Sequence, residues 1–495
     1  MTTQNVQGKR VVVLGLARQG VALSRWLVEQ GARVTASDVQ PAEKLADALR
    51  ALEGLTIRYA LGGHPLSLLD ECDVLCLSGG VPIDLPIVLE AKKRGIRLSN
   101  DSQVFLEHCP AKVIGITGSA GKTTTTTLVG EMCKAAGRRT WVGGNIGNPL
   151  IGDLGAIQTA DVIVMELSSF QLEVMTVGPH IAAILNITPN HLDRHATMEA
   201  YTEAKAHILD YQSADDTAVL GFDDPAAQSL ASRIKGKFAL FIRDMDRFAS
   251  ESPFPRDDDR LPSHREIEFV VTVKDYHVVV ADAYGLARVC ALSDIQLRGD
   301  HNVLNVLAAC ALAHAAGIPP EAMREAIARF TGVAHRLQWV RELNGVGYYD
   351  DSIATAPERM IAALKAFHEP IVLLVGGRDK HLPWEEAAAL IRQRARQLIL
   401  FGEMAGLVET AIGDWTAREA GVGVGLPASR AWKLEAVHRV GTLAEAVHLA
   451  ASVARAGEVV LLSPGGTSFD AFKDFAERGD RFQDYVRELG MTNDE

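Results

Sequence analysis

The sequence predicts an α/β protein of three domains, and three observations carry that expectation. Apolar runs of strand length repeatedly pass straight into glycine-rich or polar loops and then into helical segments. The chain has 495 residues, about three domains at roughly 150 residues each. Its 47% hydrophobic and 23% charged content suits a protein with several buried cores. The same composition limits function. A net charge of −12 argues against broad binding to a nucleic-acid backbone, so an anionic ligand must be met by helix N-termini and single arginines. No apolar stretch reaches the roughly 18 residues of a membrane span. Lys9 and Arg10 precede Val11–Ala17, but Arg18 interrupts that run, which reads as a first strand and not a leader. The six cysteines (72, 76, 109, 133, 290 and 310) form no Cys-x-x-Cys pair, and several lie in apolar runs. They read as reduced core thiols in a reducing, cytoplasmic compartment.

The first domain, residues 1–108, opens with the strand Lys9-Arg-Val-Val-Val-Leu, the turn Gly15-Leu-Ala-Arg-Gln-Gly20 and a helix to about Gln30. A second strand, Arg33–Asp38, ends in an acid 23 residues after Gly15, which is a Rossmann-like beginning. The middle glycine of a dinucleotide fingerprint is Ala17 here, so a nucleotide diphosphate or a structural turn fits better than a dinucleotide. Cys72–Leu77 reads as a strand running into Ser78-Gly79-Gly80 at the same sheet edge, where open parallel sheets bind ligands.

The central domain, residues 109–332, carries the most specific motif. Val113–Thr127 is an apolar strand, a glycine-rich turn ending in Gly121-Lys122-Thr123, and the start of a helix. Such a turn aims backbone N–H groups at phosphates, adds an ammonium and offers a hydroxyl to Mg²⁺. It reads as a nucleoside triphosphate site. The spacing is Gly115-x-x-Gly118-x-x-Gly121-Lys122-Thr123, with Ile116 where an ordinary P-loop has glycine. Asp161–Glu166 is a buried-type strand ending in an acid, the usual place to hold Mg²⁺ beside such a loop, although a helix N-cap explains an acid there too. His191, Asp193 and His195 alternate, but no second cluster completes a zinc site, and His195 reads as a solvated loop histidine. Lys205 on the amphipathic segment Met198–Leu209 reads, from pattern alone, as a surface lysine. The polar, proline-containing stretch from about Arg243 to Arg265 reads as a surface loop. Asn302 and Asn305 share one face near a helix N-terminus, where two amides suit a purine edge and an N-cap explains one of them.

The third domain, residues 333–495, contains His335-Arg336, then Tyr348–Pro357, Pro370–Lys380 and Val459–Phe475. The last three are apolar strands passing directly into polar loops, so the polar residues gather at one sheet edge.

These segments together resemble the Mur ligases of peptidoglycan synthesis over nearly the whole chain. The resemblance rests on the spaced loop, Glu166-Leu-Ser-Ser-Phe-Gln171, Asn186 to His195, Ala204-Lys205 and His301-Asn-x-x-Asn305. It extends to His335-Arg336, Asp351-Ser-x-x-Thr355 and Ser463-Pro-x-x-x-Ser468-x-Asp470. The Asp-Asn-Pro-Arg of the diaminopimelate- or lysine-adding members is absent, as is the Asp-Tyr-x-His-x-Pro of the alanine-adding ones. The match therefore points to the glutamate-adding branch. Two positions depart from that pattern: Ala120 replaces a frequent asparagine, and Ile353 a frequent lysine.

The resemblance implies an Rossmann-like first domain, a P-loop ATPase-type central domain and a Rossmann-like third domain. It implies an ATP-dependent acid–amino-acid ligase using UDP-N-acetylmuramoyl-L-alanine and D-glutamate, with an acyl phosphate between them, acting in the cytoplasm as a monomer. Lys122, Glu166, His191 and Lys205 are the implied catalytic residues. Thr123 and Glu166 are implied to hold one Mg²⁺; His191 and Lys205, as a CO₂-derived carbamate, serve a second. ATP is implied to contact Gly118, Ser119, Ala120, Gly121, Lys122, Thr123, Thr124, Asn302, Asn305, Arg336 and Asp351, with Arg336 brought in by closure of the third domain. Leu16, Ala17, Arg18, Gln19, Asp38, Ser78, Gly79, Gly80, Asn145, Ser168 and Gln171 are implied for the UDP-sugar, and Thr355, Lys380, Ser468 and Phe475 for glutamate. An L-glutamate ligase would share every one of these residues. A nicotinamide oxidoreductase would rest on Gly15–Gly20 alone, and a nucleotide-binding regulator would not need Lys205 or the third-domain segments. The folate-type ligases do not normally carry this first domain.

Overall fold

A computed structural model of the chain describes residues 6–147, 149–189, 192–195, 197–244, 267–297, 299–413 and 434–490. His191 and most of the polar 243–265 stretch lie outside them.

The first sheet holds β1 (Arg10–Leu14), β2 (Arg33–Asp38), β3 (Ile57–Leu61), β4 (Val74–Leu77) and β5 (Arg97–Ser99). All five are parallel, in the order β3-β2-β1-β4-β5. The near-continuous apolar run of β1 suits a parallel strand covered on both faces. The order reverses between β1 and β4, so the loops after Leu14 and Leu77 open side by side. A Cβ on Gly20 would stand 1.8 Å from the Gly15 carbonyl oxygen, so only glycine lets the helix Arg18–Glu29 seat this closely on the turn.

The second sheet comprises β6 (Lys112–Thr117), β7 (Thr140–Gly144), β8 (Val162–Glu166), β9 (Ile181–Ile184), β10 (Thr217–Gly221), β11 (Lys237–Phe241), β12 (Ile267–Lys274), β13 (His277–Asp282) and β14 (Gly285–Ala291). Its order is β14-β13-β12-β11-β10-β9-β6-β8-β7, parallel except for the antiparallel β12–β13–β14 edge. β6 lies between β8 and β9, which places the glycine-rich loop between the ends of those two strands. One hydrophobic cluster runs from Trp26, Leu27, Phe105 and Leu106 of the first layer to Leu150, Ile151, Leu154 and Met165 of the second. Both sheets accordingly fall in one compact unit, Met1–Phe330.

The second unit, Thr331–Glu495, is built on a third sheet. Its strands are β15 (Gln338–Leu343), β16 (Val346–Asp350), β17 (Ile371–Gly376), β18 (Ala395–Phe401), β19 (Ala436–Arg439) and β20 (Val459–Gly465), in the order β15-β16-β20-β17-β18-β19. Only β15 is antiparallel to its neighbour. The central strands are buried end to end, with separate apolar clusters on the two faces. Among the described residues no helix is long and apolar enough to cross a membrane.

Candidate active site

The glycine-rich loop joins β6 to the helix Lys122–Ala135, whose N-cap is Gly121. Gly121 has φ +83°, a conformation that favours glycine, and a Cβ there would lie 2.1 Å from Asn305 Oδ1, so the Asn305 amide would have to shift. Lys122 Nζ donates to the loop carbonyls of Gly118 (2.8 Å) and Ser119 (3.3 Å). Thr123 Oγ1 donates to Glu166 Oε2 at 2.8 Å, and Asn145 Nδ2 donates to Glu166 Oε1 at 2.9 Å. Glu166 is thus no N-cap; Ser168 caps the following helix and forms a capping box with Gln171. A hydroxyl and a carboxylate at the mouth of a phosphate loop are hard oxygen donors and fit Mg²⁺. Thr124 is half-buried in the first turn of the helix. Asn305 Nδ2 donates to Asn302 Oδ1 at 2.9 Å, so the two amides do share a face beside Gly121. Neither is a cap, because the helix Asp300–Ala315 has Gly299 at that position.

Lys205 is not a surface lysine. It is 1% exposed, its Nζ donates to the Gly118 carbonyl at 3.0 Å, and it stands 4.5 Å from the Tyr201 ring centroid. Burial, with repulsion from Lys122, lowers its pKa to about 7, against a smaller opposing pull from Glu166. Helical pattern pointed outward for this residue, but the phosphate loop covers it. His195 also departs from expectation. It is buried, its Nε2 lies 2.9 Å from Ser169 Oγ, and its ring stacks on Phe170 at 5.0 Å and 2°. Tyr201 tilts against the same ring and shares a 3.1 Å hydrogen bond with Ser119 Oγ. This packed chain ties the turn after β9 to the phosphate loop.

In the first sheet, Asp38 faces its own turn: Oδ2 accepts the Leu16 N–H at 2.7 Å and Oδ1 the Gln40 N–H at 2.8 Å. Leu16 is buried, whereas Ala17 and Arg18 are exposed, and Arg18 Nη1 donates to the Gly147 carbonyl at 2.8 Å. Gln19 Oε1 accepts the Gly79 N–H at 3.2 Å, which joins the β1 and β4 loops; Ser78 is buried and Gly80 exposed. Ser168 N–H and Oγ–H both donate to Gln171 Oε1, and Gln171 Nε2 donates to Ser102 Oγ at 2.8 Å. Gln171 is only 1% exposed, so it braces the crevice from below.

In the second unit, the turn before β15 places His335 and Leu337 at positive φ (61° and 45°), flanking exposed Arg336. The turn is pinned by two acids. His335 Nδ1 meets Asp350 Oδ2 at 2.8 Å, and the Leu337 N–H donates to Asp351 Oδ1 at 3.2 Å. Asp351 also accepts from Ser463 Oγ at 2.8 Å; burial raises its pKa to about 7 in spite of these hydrogen bonds. Lys380 Nζ donates to Thr355 Oγ1 at 3.1 Å. Ser468 is buried, and the Phe475 carbonyl accepts from Ser352 Oγ at 2.7 Å.

Comparison with known proteins converges. The Mur ligase MurD-like N-terminal domain model matches residues 9–100, the Mur ligase middle domain model 116–313, and the Mur ligase glutamate ligase domain model 335–466. The chain belongs to the Mur ligase family. UDP-N-acetylmuramoylalanine–D-glutamate ligase of Symbiobacterium thermophilum is 41% identical, over 97% of this chain and 98% of that one. The ligase of the same name from Acetivibrio thermocellus is 38% identical, over 98% of each. Among solved structures, a UDP-N-acetylmuramoyl-L-alanyl-D-glutamate–2,6-diaminopimelate ligase superposes with TM-score 0.51 at 17% identity, over 99% of this chain and 95% of that one. The UDP-N-acetylmuramate–alanine ligase of Thermotoga maritima gives 0.50 at 18% identity, over 97% and 99%. These two speak for the fold.

As a Mur ligase, the chain has two further site-forming residues: Asn186, which the resemblance includes without a role, and Arg478, which it does not include. Asn186 holds Ala120 by its backbone, accepting its N–H at 2.9 Å and donating to its carbonyl at 3.2 Å, so the loop is clamped without a side chain at 120. Arg478 is wholly buried and donates to Ser352 Oγ, the Ser352 carbonyl and the Gly466 carbonyl at 2.9–3.1 Å, binding the loops after β16 and β20. One arginine in the charged helix Phe475–Glu488 gives no sequence signal of that kind.

Proposed function

We propose that this Mur ligase joins D-glutamate to UDP-N-acetylmuramoyl-L-alanine with hydrolysis of ATP to ADP and phosphate, a step in making the peptidoglycan precursor. The observation that carries this reading is the end-to-end similarity to ligases of that name at 35–41% identity. Loop N–H groups and Lys122 bind the ATP phosphates, and Asn302 and Asn305 serve the adenine side. Arg336 is assigned to phosphate and Asp351 to ribose. The γ-phosphoryl group passes to the alanyl carboxylate, ADP leaves, and the glutamate amine attacks the acyl carbon. The C–N bond forms first, giving a tetrahedral intermediate as the amine loses its proton to solvent, and the intermediate collapses to the amide as the C–O bond to phosphate breaks. Thr123 with Glu166, and His191 with Lys205, would hold Mg²⁺, which when bound neutralises phosphate charge. A lysine near pKa 7 carries enough free amine to add CO₂, releasing a proton and becoming an oxygen ligand; this supports a carbamate on Lys205. Leu16–Gln19, Asp38, Ser78–Gly80, Asn145, Ser168 and Gln171 form the UDP-sugar cradle, and Thr355, Lys380, Ser468 and Phe475 hold glutamate, Lys380 by its charge.

Phosphate release with ATP, Mg²⁺ and UDP-N-acetylmuramoyl-L-alanine tests the reading when D-glutamate, L-glutamate, L-lysine, meso-diaminopimelate and L-alanine are supplied separately. Turnover with D-glutamate alone is expected. Turnover with L-glutamate instead would change the product, and release that ignores the amino acid would remove the ligase reading.

A further inference from the structure

A narrow crevice opens between the loop after β4 and the turn after β8. Ser78 and Gly79 of the first, Phe170 and Gln171 of the second, and Arg194 of the short helix Leu192–His195 all line it. Ser78, Gly79 and Gln171 belong to the proposed UDP-sugar cradle, but nothing in the proposed reaction uses Phe170 or Arg194. Arg194 is exposed, and its guanidinium carbon lies over the Phe170 ring, 4.6 Å from the centroid. That ring is itself fixed, because it stacks on His195, whose Nε2 lies 2.9 Å from Ser169 Oγ.

A guanidinium laid on an aromatic ring uses its face for that contact and keeps its N–H donors, which lie in its plane, for other partners. The ring also limits the rotamers that a long exposed arginine would otherwise sample, so less ordering is left for a ligand to impose. Glu173 lines the same crevice. A wall with one cation and one carboxylate suits a diphosphate poorly. It suits an uncharged arm whose carbonyl oxygens accept from arginine and whose amide N–H groups donate to a carboxylate. The muramoyl–alanyl arm of the proposed substrate carries both. That arm must run from the nucleotide-holding loops of the first sheet to the phosphate loop of the second, and the crevice lies where loops of the two sheets meet.

We infer that Arg194, held on the Phe170 ring, donates to a carbonyl oxygen of the muramoyl–alanyl arm and so separates the full substrate from uridine nucleotides that lack the arm. This inference rests on the proposed substrate. Titration calorimetry with UDP-N-acetylmuramoyl-L-alanine, inhibition by UDP and the steady-state KM for ATP test it together. Arg194→Gln should weaken binding of the full substrate about ten-fold, while the inhibition constant of UDP and the KM for ATP stay within about two-fold. Phe170→Leu removes the ring that holds the guanidinium, and should give a smaller loss with the same selectivity. If the parent protein does not bind UDP-N-acetylmuramoyl-L-alanine, the proposed function falls and this inference with it. If the parent binds it and Arg194→Gln binds it equally well, the inference alone is overturned. A loss of equal size toward UDP or ATP also overturns it, because that marks a general effect of charge or structure and not recognition of the arm.

Discussion

Lys205 combines burial, a carbonyl partner in the phosphate loop and a neighbouring ammonium, a setting that holds its amine near neutrality. Lys205→Gln keeps the length of the side chain but not the amine, and should lower kcat by about 100-fold or more, with the melting temperature little changed; phosphate release and thermal melts read both. Gly121→Ala should abolish ATP binding measured by calorimetry, since it combines positive φ with a Cβ 2.1 Å from Asn305. Legibility at this scale divides by distance along the chain. Gly118–Thr123 was readable because a phosphate cradle is a local object, written in consecutive residues. Pattern alone points Lys205 and His195 outward, because what buries them, the phosphate loop for Lys205 and the Ser169–Phe170 turn for His195, comes from other parts of the chain. Arg478 acts on loop carbonyls and on the Ser352 hydroxyl, and such work leaves no spacing in the sequence.

The informative elements are strand ends at switch points, and these were legible because a nearly continuous apolar run followed by a polar loop marks a parallel strand and its carboxyl end. The turn around Arg336 was not, because its left-handed His335 and Leu337 are held by acids fourteen and more residues away. That turn makes stability depend on pH. Burial raises the Asp351 pKa to about 7, so the folded state takes up the proton more readily than the unfolded one. The resulting stability is fully present below the ordinary aspartate pKa and fades as pH rises through about 7. His335 acts in the same direction: burial lowers its pKa, but Asp350, Asp480 and Asp474 more than offset this and raise it. Stability from its protonated form is likewise lost as pH rises past its folded pKa. The second unit should therefore melt several degrees lower at pH 8 than at pH 5, and Asp351→Asn should reduce that difference, as followed by calorimetry.

Across the whole molecule, three sheets are organised as two compact units, because the first two share one hydrophobic cluster. Residues 331–495 expressed alone should show a cooperative thermal transition, whereas residues 1–108 alone should not, since Trp26, Phe105 and Leu106 would lose the cover of Leu150, Ile151 and Leu154. The sequence showed three α/β blocks through their repeated strand–loop–helix pattern, but the merging of two of them depends on which apolar faces meet. The chemistry assigned to the molecule is activation of a carboxylate by phosphoryl transfer, followed by amide formation. Its most direct test uses UDP-N-acetylmuramoyl-L-alanine labelled with ¹⁸O in the alanyl carboxylate, turned over with ATP, Mg²⁺ and D-glutamate, with mass spectrometry of the released phosphate. One ¹⁸O per phosphate is expected, because the carboxylate oxygen leaves with the phosphoryl group. Phosphate released without label during amide formation would contradict it.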